Sequence, residues 1–255
     1  MNTLYGDVNE RLVIRATSNL VGELRPELAV FLRHMGLSHL LEEVFLPLAA
    51  TTRTTAAVAY DERPWPPEGV GARAIRGLAL AVVSDDGQSL LTPCFLAPQF
   101  VSNVGLAAAL TKTLVEALAA AKTEWISLFV NDRSRVVAAE LTNVGFEPRA
   151  GRVLTDGAEF VAFVAKPDAL LHNLGLAGMH VGDILDLRME SSQLSKVAAF
   201  HFSLTAGVAN HWAGRTNWAE VFPGLIDWSA LPPGGITGTA GPGAGPRGPL
   251  VIIQG

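Results

Sequence analysis

A serine- and glycine-containing turn opens the long apolar helix predicted in the middle of the chain. It reads Ser102-Asn103-Val104-Gly105-Leu106-Ala107 and follows an apolar, strand-like segment that ends at Leu96. The first backbone N–H groups of a helix have no partners within the helix and lie at the positive end of its dipole, so such a turn can bind a phosphate group. Ser102 and Asn103 are also favoured caps in any protein, so they either hold phosphate oxygens or only cap the helix. A phosphorylated cofactor is the ligand that this pattern predicts.

Cys94, the only cysteine, lies in the apolar segment before this turn. If its thiol is exposed it could act as an acyl acceptor, which makes it the one candidate for a catalytic residue. The alternative is a structural role, because a lone cysteine in an apolar strand is more often a small core residue. A single cysteine also excludes an internal disulfide framework, which agrees with a reducing compartment.

The elements around the turn are predicted from periodicity and turn residues. A strand near residues 11–16 precedes a helix over 20–35 that Pro26 should divide into two pieces, and Gly36 should end it. Strands over 52–60 and 75–84 follow, and Asp85-Asp86-Gly87 predicts a hairpin to an antiparallel strand over 90–96. A helix, a strand over 125–130, a second helix ending at Gly145 and two more strands complete the series up to residue 166.

This order and two motifs resemble the GCN5-related N-acetyltransferase (GNAT) family. The family's phosphate-binding loop reads Arg/Gln-x-x-Gly-x-Gly/Ala, which Gly105 and Ala107 match, whereas Ser102 replaces the Arg or Gln. The family's last helix commonly reads Asn-x-x-Ala-x-x-x-Tyr-x-x-x-Gly-Phe. Here Gly145-Phe146 matches its end, Ser134 stands at the asparagine, and Leu141 replaces the tyrosine that often protonates the CoA thiolate.

The resemblance implies an α/β (α+β) fold in which a mixed, mostly antiparallel and splayed sheet is flanked by helices. It implies acetyl-CoA or another acyl-CoA as substrate, with the pantetheine arm lying between the strands over 90–96 and 125–130. Asn131 and Ser134 would line this channel, or would only cap the following helix. The implied cofactor-binding residues are Leu96, Ser102, Asn103, Val104, Gly105, Leu106, Ala107, Asn131 and Ser134. No general acid or base can be assigned.

The chain leaves the family pattern after residue 166. We predict a GNAT-like acyl-CoA-binding domain over 1–166, a helical, tryptophan-rich extension over 167–230 and a Gly/Pro-rich tail over 231–255. A strongly apolar helix is expected over 194–212, and the run 249–253 could add as a strand to a sheet edge. Aromatic residues of this kind are enriched at interfaces, so residues 194–253 are predicted to form a homo-oligomer or to bind a protein partner. The spacing of His180, Asp183 and Asp186 matches no metal-site signature, so no metal is predicted.

Composition limits the class of protein. The net charge of −5 argues against a nucleic-acid binder. No apolar run reaches the roughly 18 residues of a membrane span, and the N-terminus has no signal-peptide pattern. A cytoplasmic protein without a membrane segment is therefore expected.

Two functions remain open. One is an acyl-CoA-dependent N-acyltransferase, acetyltransferase-like, that acts on a small amine or a peptide. The other is a non-catalytic GNAT-fold protein that uses its C-terminal extension for assembly or to bind a partner.

Overall fold

The computed structural model describes ten strands and five α-helices. It describes residues 3–5, 12–51, 53–61, 74–84, 87–97, 100, 104–131, 135–155, 158–177, 202, 205 and 250–252. The strands are β1 (Thr3–Tyr5), β2 (Leu12–Thr17), β3 (Arg53–Asp61), β4 (Ile75–Val83), β5 (Gln88–Leu91), β6 (Phe95–Leu96), β7 (Trp125–Asn131), β8 (Glu147–Thr155), β9 (Ala158–Ala165) and β10 (Leu250–Ile252). The helices are α1 (Leu20–His34), α2 (Leu46–Thr51), α3 (Val104–Ala120), α4 (Arg135–Val144) and α5 (Pro167–Ala177), with a π-helical turn, Leu41–Phe45, leading into α2.

The strands form one mixed, mostly antiparallel sheet. Its order is β1-β2-β3-β4-β5-β7-β9-β8-β10, and β6 pairs with β4 beside this path. Within the ladders that the structure describes, β5 with β7 and β10 with β8 are parallel, and the other pairs are antiparallel. The predicted fold class is therefore confirmed, and the predicted order of elements over residues 11–166 is present except that the strand expected over 90–96 is divided into β5 and β6.

Helix α1 follows its sequence signals. Asn19 caps its N-terminus by accepting a hydrogen bond from the Gly22 N–H at 3.1 Å. The expected division into two pieces is confirmed, because Leu24, two residues before Pro26, has non-helical angles (φ −136°, ψ 27°). Gly36 ends the helix with φ +73°, a conformation that glycine adopts without steric cost.

The sheet has one face covered by α3 and an opposite face covered by the α1–α2 region. Helix α3 packs on β2, β3, β4 and α5. Gly77 lies on the face of the sheet that α3 covers, because a Cβ on Gly77 would lie 2.6 Å from Leu110 of α3. Since side chains alternate along a strand, the neighbour Leu78 points to the opposite face.

Helix α5 continues the body of the protein beyond residue 166. It packs against α3 and α4, and Leu170 is buried. Asn173 Nδ2 donates a hydrogen bond to the Val144 carbonyl at 2.7 Å, which satisfies a carbonyl at the C-terminus of α4. The extension predicted to be helical thus begins with a helix, while the division of the chain into domains stays a prediction.

The end of the tail adds to the sheet, as its β-prone sequence indicated. Leu250, Val251 and Ile252 pair in parallel with Arg152, Val153 and Leu154 of β8 in the same chain. The preceding tail, the three tryptophans of the extension and the His180, Asp183 and Asp186 group lie outside the described residues.

The ranges described above contain neither a membrane-spanning helix nor a cluster of metal-binding side chains. None of their helices is long and apolar enough to cross a membrane. None of their His, Cys, Asp and Glu side chains gather in a group of three or more that could hold a metal ion.

Candidate functional site

The strand predicted over 90–96 is interrupted by a bulge. Leu91 pairs with Ala81, and Phe95 pairs with Leu78, so the step along this strand is one residue longer than the opposing step along β4. An extra residue in one strand bends that strand and increases its local twist. The bulge therefore turns β6 away from the direction set by β5.

Thr92 holds the bulge in place. Its N–H donates to the Leu80 carbonyl at 2.8 Å, and its Oγ1 accepts a hydrogen bond from the Leu80 N–H at 2.9 Å. The side chain thus takes the place of a backbone acceptor that the bulge has displaced. The following Pro93 has no N–H and leaves no donor to be satisfied.

The sheet opens beyond this bulge. Strands β5 and β7 are paired in parallel up to Leu91 and Leu128. Past that point β7 continues to Asn131 and pairs with β9, whereas β6 is paired with β4. In the ladders the structure describes, no hydrogen-bonded pair joins β6 to Phe129, Val130 or Asn131. Among the described residues, β6 and the end of β7 are therefore not paired with each other, and we call the place between them the gap.

This chain has a GNAT-like fold. The splay of the sheet decides the fold: β5 and β7 are a parallel pair connected through the long helix α3, and their pairing ends at the bulge. The splay predicted between the strands over 90–96 and 125–130 is therefore confirmed.

The known proteins that this chain resembles were found only among solved structures. No protein-family model matches the chain, and no curated protein matches it. A spermidine N-acetyltransferase chimera from Vibrio cholerae is 15% identical, over 63% of this chain and 98% of that one, with a TM-score of 0.46. A CoA-dependent acyl-homoserine lactone synthase is 14% identical, over 66% of this chain and 90% of that one, with a TM-score of 0.44. At these identities a comparison concerns the fold and not the activity.

The structure brings part of the predicted cofactor-binding set to the gap. Leu96 is buried in β6 at its edge, and Asn131 is the last residue of β7. Val104 and Gly105 form the first turn of α3. The side chains of Leu106 and Ala107 are fully buried, so these two residues have only backbone groups to offer a ligand. Ser102, Asn103 and Ser134 lie outside the described residues.

Cys94 lies under the first turns of α3. Its Sγ is 3.5 Å from the Ala107 carbonyl and 3.2 Å from Thr111 Oγ1, and Thr111 Oγ1 donates to the same carbonyl at 3.0 Å. The residue is only 2% exposed. A role as acyl acceptor requires an exposed thiol, and this thiol is buried. Cys94 is therefore a core residue that packs α3 against the sheet.

The position at which the family commonly has a tyrosine is occupied by a core residue. Leu141 is fully buried in α4, and its carbonyl accepts a hydrogen bond from the Phe146 N–H at 2.9 Å. An aliphatic side chain has no proton to give. Tyr60, which the structure places in β3, is buried and lies under the Arg15 guanidinium, 5.5 Å from its ring centroid.

Arg76 is a basic residue beside the gap that sequence reasoning missed. Its guanidinium lies 5.5 Å from the ring centroid of Phe100, in the segment between β6 and α3, and 3.8 Å from an Asp61 carboxylate oxygen. Its backbone carbonyl accepts from the Ala97 N–H at 2.8 Å. A signal was present, since Arg76 is the last basic residue before a segment without Lys or Arg that ends at Lys112.

Phe202, a residue of the extension, also reaches this region. Its ring centroid is 4.7 Å from that of Phe95 in β6 and 5.0 Å from that of Phe45 in the π-helical turn. The side chain is fully buried. The apolar periodicity of the extension predicted a packed helix, but periodicity alone cannot show which surface the helix covers.

Proposed function

We propose that the chain is an acyl-CoA-dependent N-acyltransferase that transfers an acyl group to a small amine or a peptide. The observation that supports it best is the gap between β6 and residues 129–131. Among the described strands, none pairs with the backbone groups of β7 at this edge, and backbone N–H and C=O groups in a protein require partners. The amide and carbonyl groups of a pantetheine arm have the spacing and chemistry of a short peptide strand.

The phosphate end of the substrate fits the start of α3. This helix begins at Val104, eight residues along the chain from the end of β6 at Leu96, and its first N–H groups and dipole favour an anion. Backbone recognition of this kind does not require the Arg or Gln that Ser102 replaces. Arg76 places a cation beside Phe100, in the segment that leads from β6 to α3, and shares this cation with the Asp61 carboxylate.

Catalysis by this chain would rely on positioning. The amine nitrogen forms a bond to the thioester carbonyl carbon, the C–S bond breaks, and the CoA sulfur leaves as a thiolate. The proton lost by the amine passes to water, and the thiolate takes a proton from water, because Leu141 cannot supply one. Holding two reactants in a reactive geometry can by itself lower the barrier substantially.

The direct test is a transfer assay. Acetyl-CoA and a panel of primary amines, including polyamines, aminoglycosides and short peptides, are incubated with the full chain, and the acylated product is identified by mass spectrometry. The proposal predicts an enzyme-dependent product with at least one amine. Failure of every amine, together with failure of acetyl-CoA to bind, would rule out the proposal.

The second candidate function is a non-catalytic assembly or partner protein. The burial of Leu141 and Cys94 favours it, because Leu141 has no acid or base group and the Cys94 thiol is buried away from a substrate. We propose residues 194–253 as its interface, with a second copy or another protein. A strictly monomeric species in light scattering, with no partner recovered in a pulldown, would argue against this candidate.

A further inference from the structure

The two faces of the gap are closed by different parts of the chain. On the α3 face, Cys94 packs against Ala107 and Thr111, so the space beside the bulge is filled there. Phe95 is adjacent in sequence to Leu96, which shares the face of Gly77 and α3, so the Phe95 ring points to the opposite face. The ring that covers Phe95 on that face belongs to Phe202.

Phe202 comes from the extension and not from the body of the fold. Its ring lies between Phe95 of β6 and Phe45 of the π-helical turn. Thr205, one helical turn further on, is also buried, at 1% exposure. Beyond α5, the described residues of the extension are Phe202 and Thr205, and both are buried inside the protein.

Backbone pairing and side chains on both faces hold β6. The strand has two residues, which pair with β4 as Gly77 with Leu96 and Leu78 with Phe95. The Ala97 N–H that follows donates to the Arg76 carbonyl at 2.8 Å. Leu96 and Leu110 meet over Gly77 on one face, and Phe202 packs against Phe95 on the other.

We propose that Phe202 is a specificity-determining residue that restricts the cleft to short acyl groups; this inference rests on the proposed function. A pantetheine arm lying in the gap could extend only as far as Leu91 and Leu128, because from these residues β5 and β7 are hydrogen bonded to each other. An acyl chain that continues past this point must leave the plane of the sheet. The α3 face is packed by Cys94 and Thr111, so a longer chain needs the space behind Phe95 that Phe202 occupies.

The test compares acetyl-CoA with octanoyl-CoA by titration calorimetry on the full chain and on variants. Phe202→Ala removes the ring, and Phe202→Leu removes less volume in case the alanine variant does not fold. Phe31→Leu is the matched control, because Phe31 is an equally buried phenylalanine of α1. Thermal unfolding of each variant identifies those that are folded.

The wild type is expected to bind acetyl-CoA at least about tenfold more tightly than octanoyl-CoA. Each buried methylene is worth about fourfold in affinity, so opening the space should shift the octanoyl-to-acetyl ratio by at least about tenfold in Phe202→Ala. Phe202→Leu should shift it in the same direction, and Phe31→Leu should leave it unchanged. An unchanged ratio in a folded Phe202 variant, or equal binding of both thioesters by the wild type, would overturn this inference alone. If the wild type binds neither thioester, the proposed function fails and this inference falls with it.

Discussion

Gly77 and Leu96 face each other across β4 and β6, and the room that a side chain on Gly77 would need is already filled. A Cβ at Gly77 would lie 2.8 Å from Leu96 Cδ2 and 2.6 Å from Leu110 Cδ1. The glycine is therefore what lets β6 and α3 approach β4 so closely. Because Leu96 borders the gap, the same contact connects core packing to the candidate site.

Gly77→Ala should accordingly push β6 and α3 apart. Both facing leucines are buried, so the added methyl group should destabilise the protein by about 1–3 kcal/mol, and acetyl-CoA should bind more weakly. Denaturant unfolding and calorimetry measure the two effects. A Leu110→Ala background removes one of the two close contacts of the methyl group, so the cost of the methyl group there should fall by about 1 kcal/mol or more. Strictly additive costs would contradict this contact.

The bulge can be tested through Thr92. Thr92→Val keeps the shape of a fully buried side chain but leaves the Leu80 N–H without its acceptor, which should cost about 1–3 kcal/mol. Thr92→Ser keeps the acceptor and loses a methyl group, so it serves as the matched control. Denaturant unfolding should rank the valine variant as the less stable of the two. The reverse order would show that the hydroxyl does not hold the bulge.

Cys94 should behave as a core residue and not as a nucleophile. Because its thiol is buried, a thiol reagent should label the native protein slowly and the unfolded protein at once. Cys94→Ala should retain acetyl-CoA binding within about threefold, with a stability cost of about 1 kcal/mol. Rapid labelling of the native protein that acetyl-CoA prevents would restore the role of acyl acceptor.

The connection of α5 to the body rests partly on Asn173. Asn173→Asp removes the donor to the Val144 carbonyl and places a negative charge at the C-terminus of α4, so it should destabilise the protein by about 1–2 kcal/mol. His172→Ala, at the exposed neighbouring position, should change stability by less than about 0.5 kcal/mol. Thermal or denaturant unfolding makes the comparison. Equal effects of the two substitutions would show that Asn173 does not hold α4.

Local signals predicted most of the fold because each acts over a few residues. Pro26 and Gly36 predicted the kink and the end of α1, and the sequence Asp85-Asp86-Gly87 predicted the antiparallel pairing of β4 with β5. The bulge at Thr92 was not predicted, since it depends on register with β4 and not on the sequence of one strand. The strand expected over 90–96 therefore proved to be two strands, β5 and β6.

The candidate site was predicted less completely, for a physical reason. Sequence signatures exist for a turn, for the end of a strand and for a helix cap. These signatures assigned positions in the fold to Gly105, Leu96 and Asn131, in that order. Phe202 lies more than 100 residues along the chain from Phe95, and no local pattern encodes a contact of that range. Arg76 was overlooked for the same reason, because its neighbour Phe100 is on another segment.

Calorimetric titration of the full chain with acetyl-CoA tests the central claim most directly. If the gap between β6 and β7 receives a pantetheine arm, the titration should show saturable binding with one site per chain, and CoA should compete. Gly77→Ala should weaken this binding, while Phe31→Leu should not. An absence of heat at millimolar acetyl-CoA with correctly folded protein would contradict the account.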